Sequence, residues 1–214
     1  MYKIGYIDED DGWLNTFYQT FKMDFDILQV KVDSDSTVES ITQVLFDESI
    51  DAIVTDYLLE EDANVSFNGN ILVEAIRNDR PHFPIVMLTS HEPQAISHMD
   101  DVHIIYSKSI LDGESEEELS LFKSKIKSSI DNYYTKKENS IRRIEELVTK
   151  RNMEGLKLTE EEELSKLYIL FDEFEPEGKG LPVNLMQKGS ITKLNEFVQE
   201  AKKILEELKK KTNK

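Results

Sequence analysis

Asp8, Glu9, Asp56, Thr89 and Lys108 each stand where an apolar run gives way to polar residues. The runs before them are Lys3-Ile4-Gly5-Tyr6-Ile7, Ala52-Ile53-Val54-Thr55, Ile85-Val86-Met87-Leu88 and His103-Ile104-Ile105-Tyr106-Ser107. Near-continuous apolar runs that alternate with helical patterns are the signature of a parallel sheet covered on both faces. Chemistry in such sheets collects at the carboxyl ends of the strands. Three carboxylates, a hydroxyl and an ammonium should therefore converge on one rim. Two carboxylates beside a nucleophilic one repel it and any incoming phosphoryl group, so such a site works only with a cation. Mg²⁺ fits, because it takes oxygen ligands and keeps several waters. Phosphoryl transfer then needs little beyond positioning and charge stabilisation, which Lys108 and Thr89 can supply.

The elements that would place these residues can be read along the chain. Trp13, Phe17 and Phe21 fall at helical spacing after the first strand, and Ile27 to Val32 reads as a second strand. Ser36 or Thr37 can cap the helix carrying Val38, Ile41, Val44 and Leu45. A polar loop follows Asp56 as far as Gly69, and Ile71, Leu72, Ala75 and Ile76 mark the next helix. Pro81 and Pro84 end it and deliver the fourth strand. Residues 91–101 predict only a brief helix, with Ala95, Ile96 and Met99 as anchors. The fifth strand, His103 to Ser107, ends at Lys108.

From Ser115 the pattern changes. Ser115 with Glu118 forms a capping box, and apolar residues then recur every three or four positions from Leu119 to Val148. This predicts one helix from Glu116 to about Asn152, longer than the first domain needs and so extended into a stalk. A second capping box, Thr159 with Glu162, should open a helix with Leu164, Leu167, Phe171 and Phe174 inside. Glu175–Pro182 reads as a turn, and Ser190 opens a last helix carrying Ile191, Leu194, Val198, Ala201, Leu205 and Leu208. Together these helices predict a small helical bundle or hairpin.

Charge is unevenly placed. Residues 1–114 hold 6 Lys/Arg against 23 Asp/Glu, whereas residues 115–214 hold 20 of each, so the net −17 of the 214-residue chain lies in its first part. Neither part has the basic excess of a nucleic-acid binder, so no DNA partner is expected. No apolar run approaches the roughly 20 residues of a membrane helix. Met1-Tyr2-Lys3 leads straight into a strand, so no secretion signal and no membrane are expected. The chain has no cysteine, which rules out disulfides and thiolate metal sites and suits a reducing cytoplasm.

The ordered stretches Ile4-Gly5-Tyr6-Ile7-Asp8-Glu9-Asp10, Ile53-Val54-Thr55-Asp56-Tyr57, Ile85-Val86-Met87-Leu88-Thr89-Ser90 and Ser107-Lys108 resemble a bacterial response-regulator receiver domain over roughly residues 1–130. The resemblance implies an α/β, flavodoxin-like five-stranded parallel sheet in the order 2-1-3-4-5. An extended last helix would lead into a small all-α region, residues 131–214. It implies that Asp56 is the phosphoacceptor, served by a sensor histidine kinase, a phosphotransfer protein or a small phosphodonor. Glu9 and Asp56, with the backbone carbonyl of Leu58, would ligate Mg²⁺, and Asp8 would assist through water. Thr89 and Lys108 would hold the remaining phosphoryl oxygens.

This chain departs from the family pattern in places. Ser109 follows Lys108 where the family has proline, and Ile105 stands three residues before Lys108 where the family has an aromatic switch. Tyr106, next to it, should face the other side of the sheet. The loop from Asp56 to Gly69 is long. These features leave the phosphorylation chemistry intact and move its read-out to the helix after Ser115 or to the long loop. Residues 115–214 would bind a protein partner or a second copy of the chain as a homodimer. All four histidines (82, 91, 98 and 103) precede Ser115, so that region supplies no phosphotransfer histidine. Two other functions compete: a receiver-like scaffold that binds metal without being phosphorylated, and a Mg²⁺-dependent phosphatase with an aspartyl nucleophile. Phosphatases of the haloacid-dehalogenase kind carry a second Asp two residues after the nucleophile, where this chain has Leu58.

Overall fold

The computed structural model describes residues 1–174, so the turn expected at Glu175–Pro182 and the helix expected from Ser190 lie outside the described residues. The chain divides into two units, Met1–Glu138 and one that begins at Asn139.

In the first unit five parallel strands alternate with helices: β1 (Lys3–Asp8), α1 (Asp11–Phe21), β2 (Asp26–Lys31), α2 (Val38–Asp47), β3 (Ala52–Thr55), α3 (Glu60–Ala63), α4 (Gly69–Asp79), β4 (Ile85–Thr89), α5 (Glu92–His98) and β5 (Ile105–Ser107). A long helix, α6 (Glu116–Glu154), begins here and passes the unit boundary. The strand order is β2-β1-β3-β4-β5, the doubly wound arrangement that the resemblance implies. The register fixes the functional rim. Ile7 pairs with Thr55, Thr55 with Met87, Met87 with Ile105 and Thr89 with Ser107. The Asp56 amide then donates to the Ile7 carbonyl at 2.9 Å, which draws Asp8 and Asp56 side by side.

Beneath this rim, Ile4, Tyr6, Leu14, Phe17, Phe21, Leu88, Phe122, Ile126 and Ile130 belong to one buried cluster that joins the sheet to α1 and α6. Tyr6 stacks on Phe17 at 4.0 Å and Phe17 on Phe21 at 4.2 Å. Offset stacking of buried rings contributes beyond the area it removes from water. At the opposite end of the strands Tyr2 donates to Asp131 and Tyr134 to Asp51, tying α6 to the start of the sheet.

Local caps place the helices. The Asp10 carboxylate accepts from the Trp13 amide at 2.9 Å and starts α1. Thr37 and Ser40 form a reciprocal capping box for α2. Ser115 caps α6 through the Glu118 amide at 3.2 Å. Four expectations need correction. The loop before Gly69 contains the short α3, ended by Asn64 in the left-handed region at φ 56°. The fifth strand is shorter than His103–Ser107, because the Asp101 carboxylate accepts from the His103 amide and winds Val102–Ile104 into a 3₁₀ turn. Ile96 is not an anchor of α5: it is 53% exposed, and Ala95 alone on that helix is buried.

The fourth correction falls in the second unit, where α7 (Leu158–Phe174) starts two residues earlier than Thr159 and Glu162 suggest. Gly155, at φ 82°, adopts the left-handed conformation that favours glycine just after α6 ends. Glu160 accepts from the Lys157 amide at 2.9 Å, so Lys157 and Glu160 make the turn. Ile144, Leu147, Val148, Leu164 and Phe171 form the core of this unit. Arg143 grips both oxygens of Glu163, at 2.7 and 3.0 Å. No helix among the described residues is long and apolar enough to cross a membrane.

Candidate functional site

Asp8 ends β1, Glu9 follows it, Asp56 follows β3, Thr89 ends β4 and Lys108 follows β5, so the strand register brings all five to the carboxyl rim. One carboxylate oxygen from each of Asp8, Glu9 and Asp56 lies within 4.8 Å of the other two. Lys108, only 2% exposed, donates to Asp56 Oδ2 at 2.6 Å and meets Asp8 Oδ2 at 2.9 Å. Asp8, Asp56 and Thr89 are buried as well, while Glu9 is half-buried.

The acceptors are not equally committed. Asp8 Oδ1 accepts the Asp10 amide at 3.1 Å, and Asp8 Oδ2 takes both Lys108 and the Tyr6 hydroxyl. Asp56 Oδ1 accepts the Tyr57 amide at 2.6 Å, opposite the Lys108 bond on Oδ2. Glu9 Oε2 is buried with no hydrogen-bond partner among the described residues. An unpartnered buried carboxylate oxygen is costly and calls for an explanation, an ion among them.

Electrostatics point the same way. Burial pushes the Glu9 carboxyl up to about 7, and the charges of Asp8 and Asp56 add to the rise. Burial also raises Asp8, although Lys108 and Tyr6 pull it down. For Lys108 burial works against the ammonium, but Asp56 and Asp8 outweigh it and hold the proton more firmly than usual. Fully ionised, three carboxylates against one ammonium leave two negative charges, which a divalent cation would balance. The orphaned Glu9 oxygen and the all-oxygen donor set fit Mg²⁺.

Thr89 Oγ1 accepts from the His91 amide at 3.1 Å, and its own proton has no acceptor among the described residues. Leu58 sits in the loop after Asp56, which is folded back by Asn68: its side-chain oxygen accepts from the amides of Leu59 at 2.9 Å and Glu60 at 3.1 Å. Gly69 closes that loop by donating to the Tyr57 carbonyl at 2.7 Å. A Cβ at Gly69 would lie 1.9 Å from the Asp56 carbonyl oxygen, so no larger residue fits there without a backbone shift. Tyr106 packs edge-on against Phe122 of α6 at 5.1 Å, within the cluster that holds Phe17 and Phe21, as its alternation with Ile105 requires.

Four residues of this neighbourhood carry roles that sequence reasoning did not assign. Tyr6 belongs by pattern to an apolar strand, yet it stands two residues before Asp8 and shares its face of the sheet. Trp13 falls at helical spacing with Phe17 and Phe21, yet its ring lies 5.1 Å from the Lys108 ammonium. Asn68 and Gly69 fold the loop. Spacing could have found Tyr6, whereas the other three depend on how the loops close.

No protein-family model matches this sequence, and comparison with curated proteins finds no match. Solved structures do align with it. A signal receiver domain of an HD domain-containing protein from Pseudomonas fluorescens Pf-5 is 14% identical, covering 64% of this chain and 92% of its own at a TM-score of 0.49. A response regulator receiver domain protein from Clostridium thermocellum is 16% identical, covering 62% and 96% at 0.44. The response regulator protein TrrA from Thermotoga maritima, in complex with Mg²⁺-BeF, is 14% identical, covering 59% and 99% at 0.44. Each of these alignments spans 59–64% of this chain.

Proposed function

We propose that this chain is a response regulator that accepts a phosphoryl group on Asp56. The observation that carries this reading is the Lys108 ammonium held between Asp56 and Asp8, with an unpartnered Glu9 oxygen in the same cluster. An Asp56 carboxylate oxygen attacks the phosphorus of a phosphohistidine or a small acyl phosphate. The new P–O bond forms as the bond to the donor nitrogen or oxygen breaks, and the leaving group departs with that electron pair. Lys108 stays paired with the charge as it spreads onto the phosphoryl oxygens, and Thr89 has a free hydroxyl proton to offer another. Bound at Glu9, Asp56 and the Leu58 carbonyl, with Asp8 assisting, Mg²⁺ would supply the positive charge that the transferring group needs.

The donor would be a sensor histidine kinase or a phosphotransfer protein in the cytoplasm. The output would run through residues 115–214 to a protein partner or a second copy of the chain. The test is incubation with acetyl phosphate and Mg²⁺ followed by intact mass. One added phosphoryl group, lost in Asp56→Asn and lost with EDTA, is the expected result. Uptake that survives Asp56→Asn would overturn the assignment. No uptake from any donor would favour the metal-binding scaffold instead. Leu58 leaves a phosphatase without its second acid, so no steady hydrolysis of p-nitrophenyl phosphate is expected.

A further inference from the structure

Tyr6 is fully buried, with its ring parallel to Phe17 at 4.0 Å, yet its hydroxyl ends inside the polar site. A buried phenol needs a partner for its O–H, and here that partner is Asp8 Oδ2. The same oxygen receives Lys108 at 2.9 Å, and Lys108 reaches Asp56 Oδ2 at 2.6 Å. With the Asp10 amide on Oδ1 at 3.1 Å, both oxygens of Asp8 are engaged by the protein, unlike Oε2 of Glu9.

The geometry points to Tyr6 as a positioning residue for phosphoryl transfer: its hydroxyl fixes Asp8 Oδ2 as the pivot on which Lys108 turns from Asp56 toward the incoming phosphoryl group. This rests on the reading of Asp56 as phosphoacceptor. When an Asp56 oxygen becomes the bridging oxygen of the acyl phosphate, Lys108 follows the charge toward the phosphoryl group while keeping Asp8. An aliphatic residue at position 6 could fill the core but could not stop the Asp8 carboxylate from rotating with the lysine. Tyr6 does both, because the stacked ring makes its hydroxyl a fixed donor.

Tyr6→Phe keeps the stack on Phe17 and removes one oxygen. Its rate of phosphorylation by acetyl phosphate at saturating Mg²⁺ should fall about ten-fold, the low end of the loss expected for one hydrogen bond to a charged group. The Mg²⁺ concentration for half-maximal rate should stay within about two-fold of wild type, because the uncommitted carboxylate oxygen belongs to Glu9. A second readout needs neither phosphate nor metal. Trp13 is the single tryptophan of the chain, and its ring lies 5.1 Å from Lys108 Nζ. Its emission in EDTA should shift in Tyr6→Phe toward that of Lys108→Met, which has no ammonium at all. An unchanged rate, a loss of Mg²⁺ affinity as large as the loss of rate, or unchanged Trp13 emission would each overturn the proposal. So would a Tyr6→Phe chain that does not fold, since the hydroxyl would then serve stability alone. If wild type takes up no phosphate, or keeps it in Asp56→Asn, the reading of Asp56 fails, and the emission comparison still judges whether Tyr6 positions Lys108.

Discussion

Glu9→Gln in metal-free protein separates the electrostatic cost of this site from its chemistry. In the unfolded chain Glu9 ionises near 4.5, whereas burial and the adjacent Asp8 and Asp56 push it up to about 7 in the fold. Below 4.5 both states hold the proton and nothing is lost. As pH rises toward 7, the unfolded chain releases a proton that the fold retains, so stability falls, and above 7 the loss is complete. At 1.36 kcal/mol per pH step, the interval from 4.5 to about 7 bounds that loss at about 3 kcal/mol. Because Glu9 is only half-buried, water screens part of this, and about 1–2 kcal/mol is the expected net effect. Urea unfolding in EDTA should therefore find Glu9→Gln more stable than wild type by that amount at pH 8 and equal to it near pH 4.5. Adding Mg²⁺ at pH 8 should reverse the order: wild type gains about 2.7 kcal/mol at a hundred times its dissociation constant, and the variant gains less. A variant that is less stable than wild type at pH 8 without metal, or that has the same advantage at both pH values, would refute the reasoning.

Two further substitutions test the scaffold. Gly69→Ala puts a methyl 1.9 Å from the Asp56 carbonyl and should cost about 2–3 kcal/mol by urea unfolding, with slower phosphorylation; a change under about 0.5 kcal/mol would show that the loop yields freely. Phe171→Ala empties a fully buried position in the second unit and should cost about 3–5 kcal/mol, seen as early loss of amide protection in residues 139–174 while β1 and β3 stay protected.

Legibility in the sequence followed the physics of each element. The strand ends at Asp8, Asp56 and Thr89 could be read because buried parallel strands are continuously apolar and stop sharply at polar residues. The start of β5 could not, since a single side chain, Asp101, decides whether His103 extends a strand or caps a turn. The start of α7 differs by two residues for a similar reason: Thr159-Glu162 and Lys157-Glu160 compete for one helix start, and Lys150, 2.6 Å from Glu160, favours the second. Side-chain reach was the least legible property. Tyr6 belongs to the core and Trp13 packs partly buried against it, but the Tyr6 hydroxyl and the Trp13 ring face also reach the polar site, which periodicity does not report.

The three-residue β5, at the margin of the sheet and bounded by 3₁₀ turns at Val102–Ile104 and Lys108–Asp112, leads directly into the lysine that two buried acids depend on. Asp8 and Asp56, by contrast, adjoin β1 and β3, which are bonded to neighbours on either side. The anionic wall of the cup is therefore mounted on its most firmly laced strands and the cationic arm on its most weakly laced one. Deuterium should enter the backbone around Ser107 well before it enters Ile7 or Val54, and a ligand that draws the ammonium inward should slow that entry first.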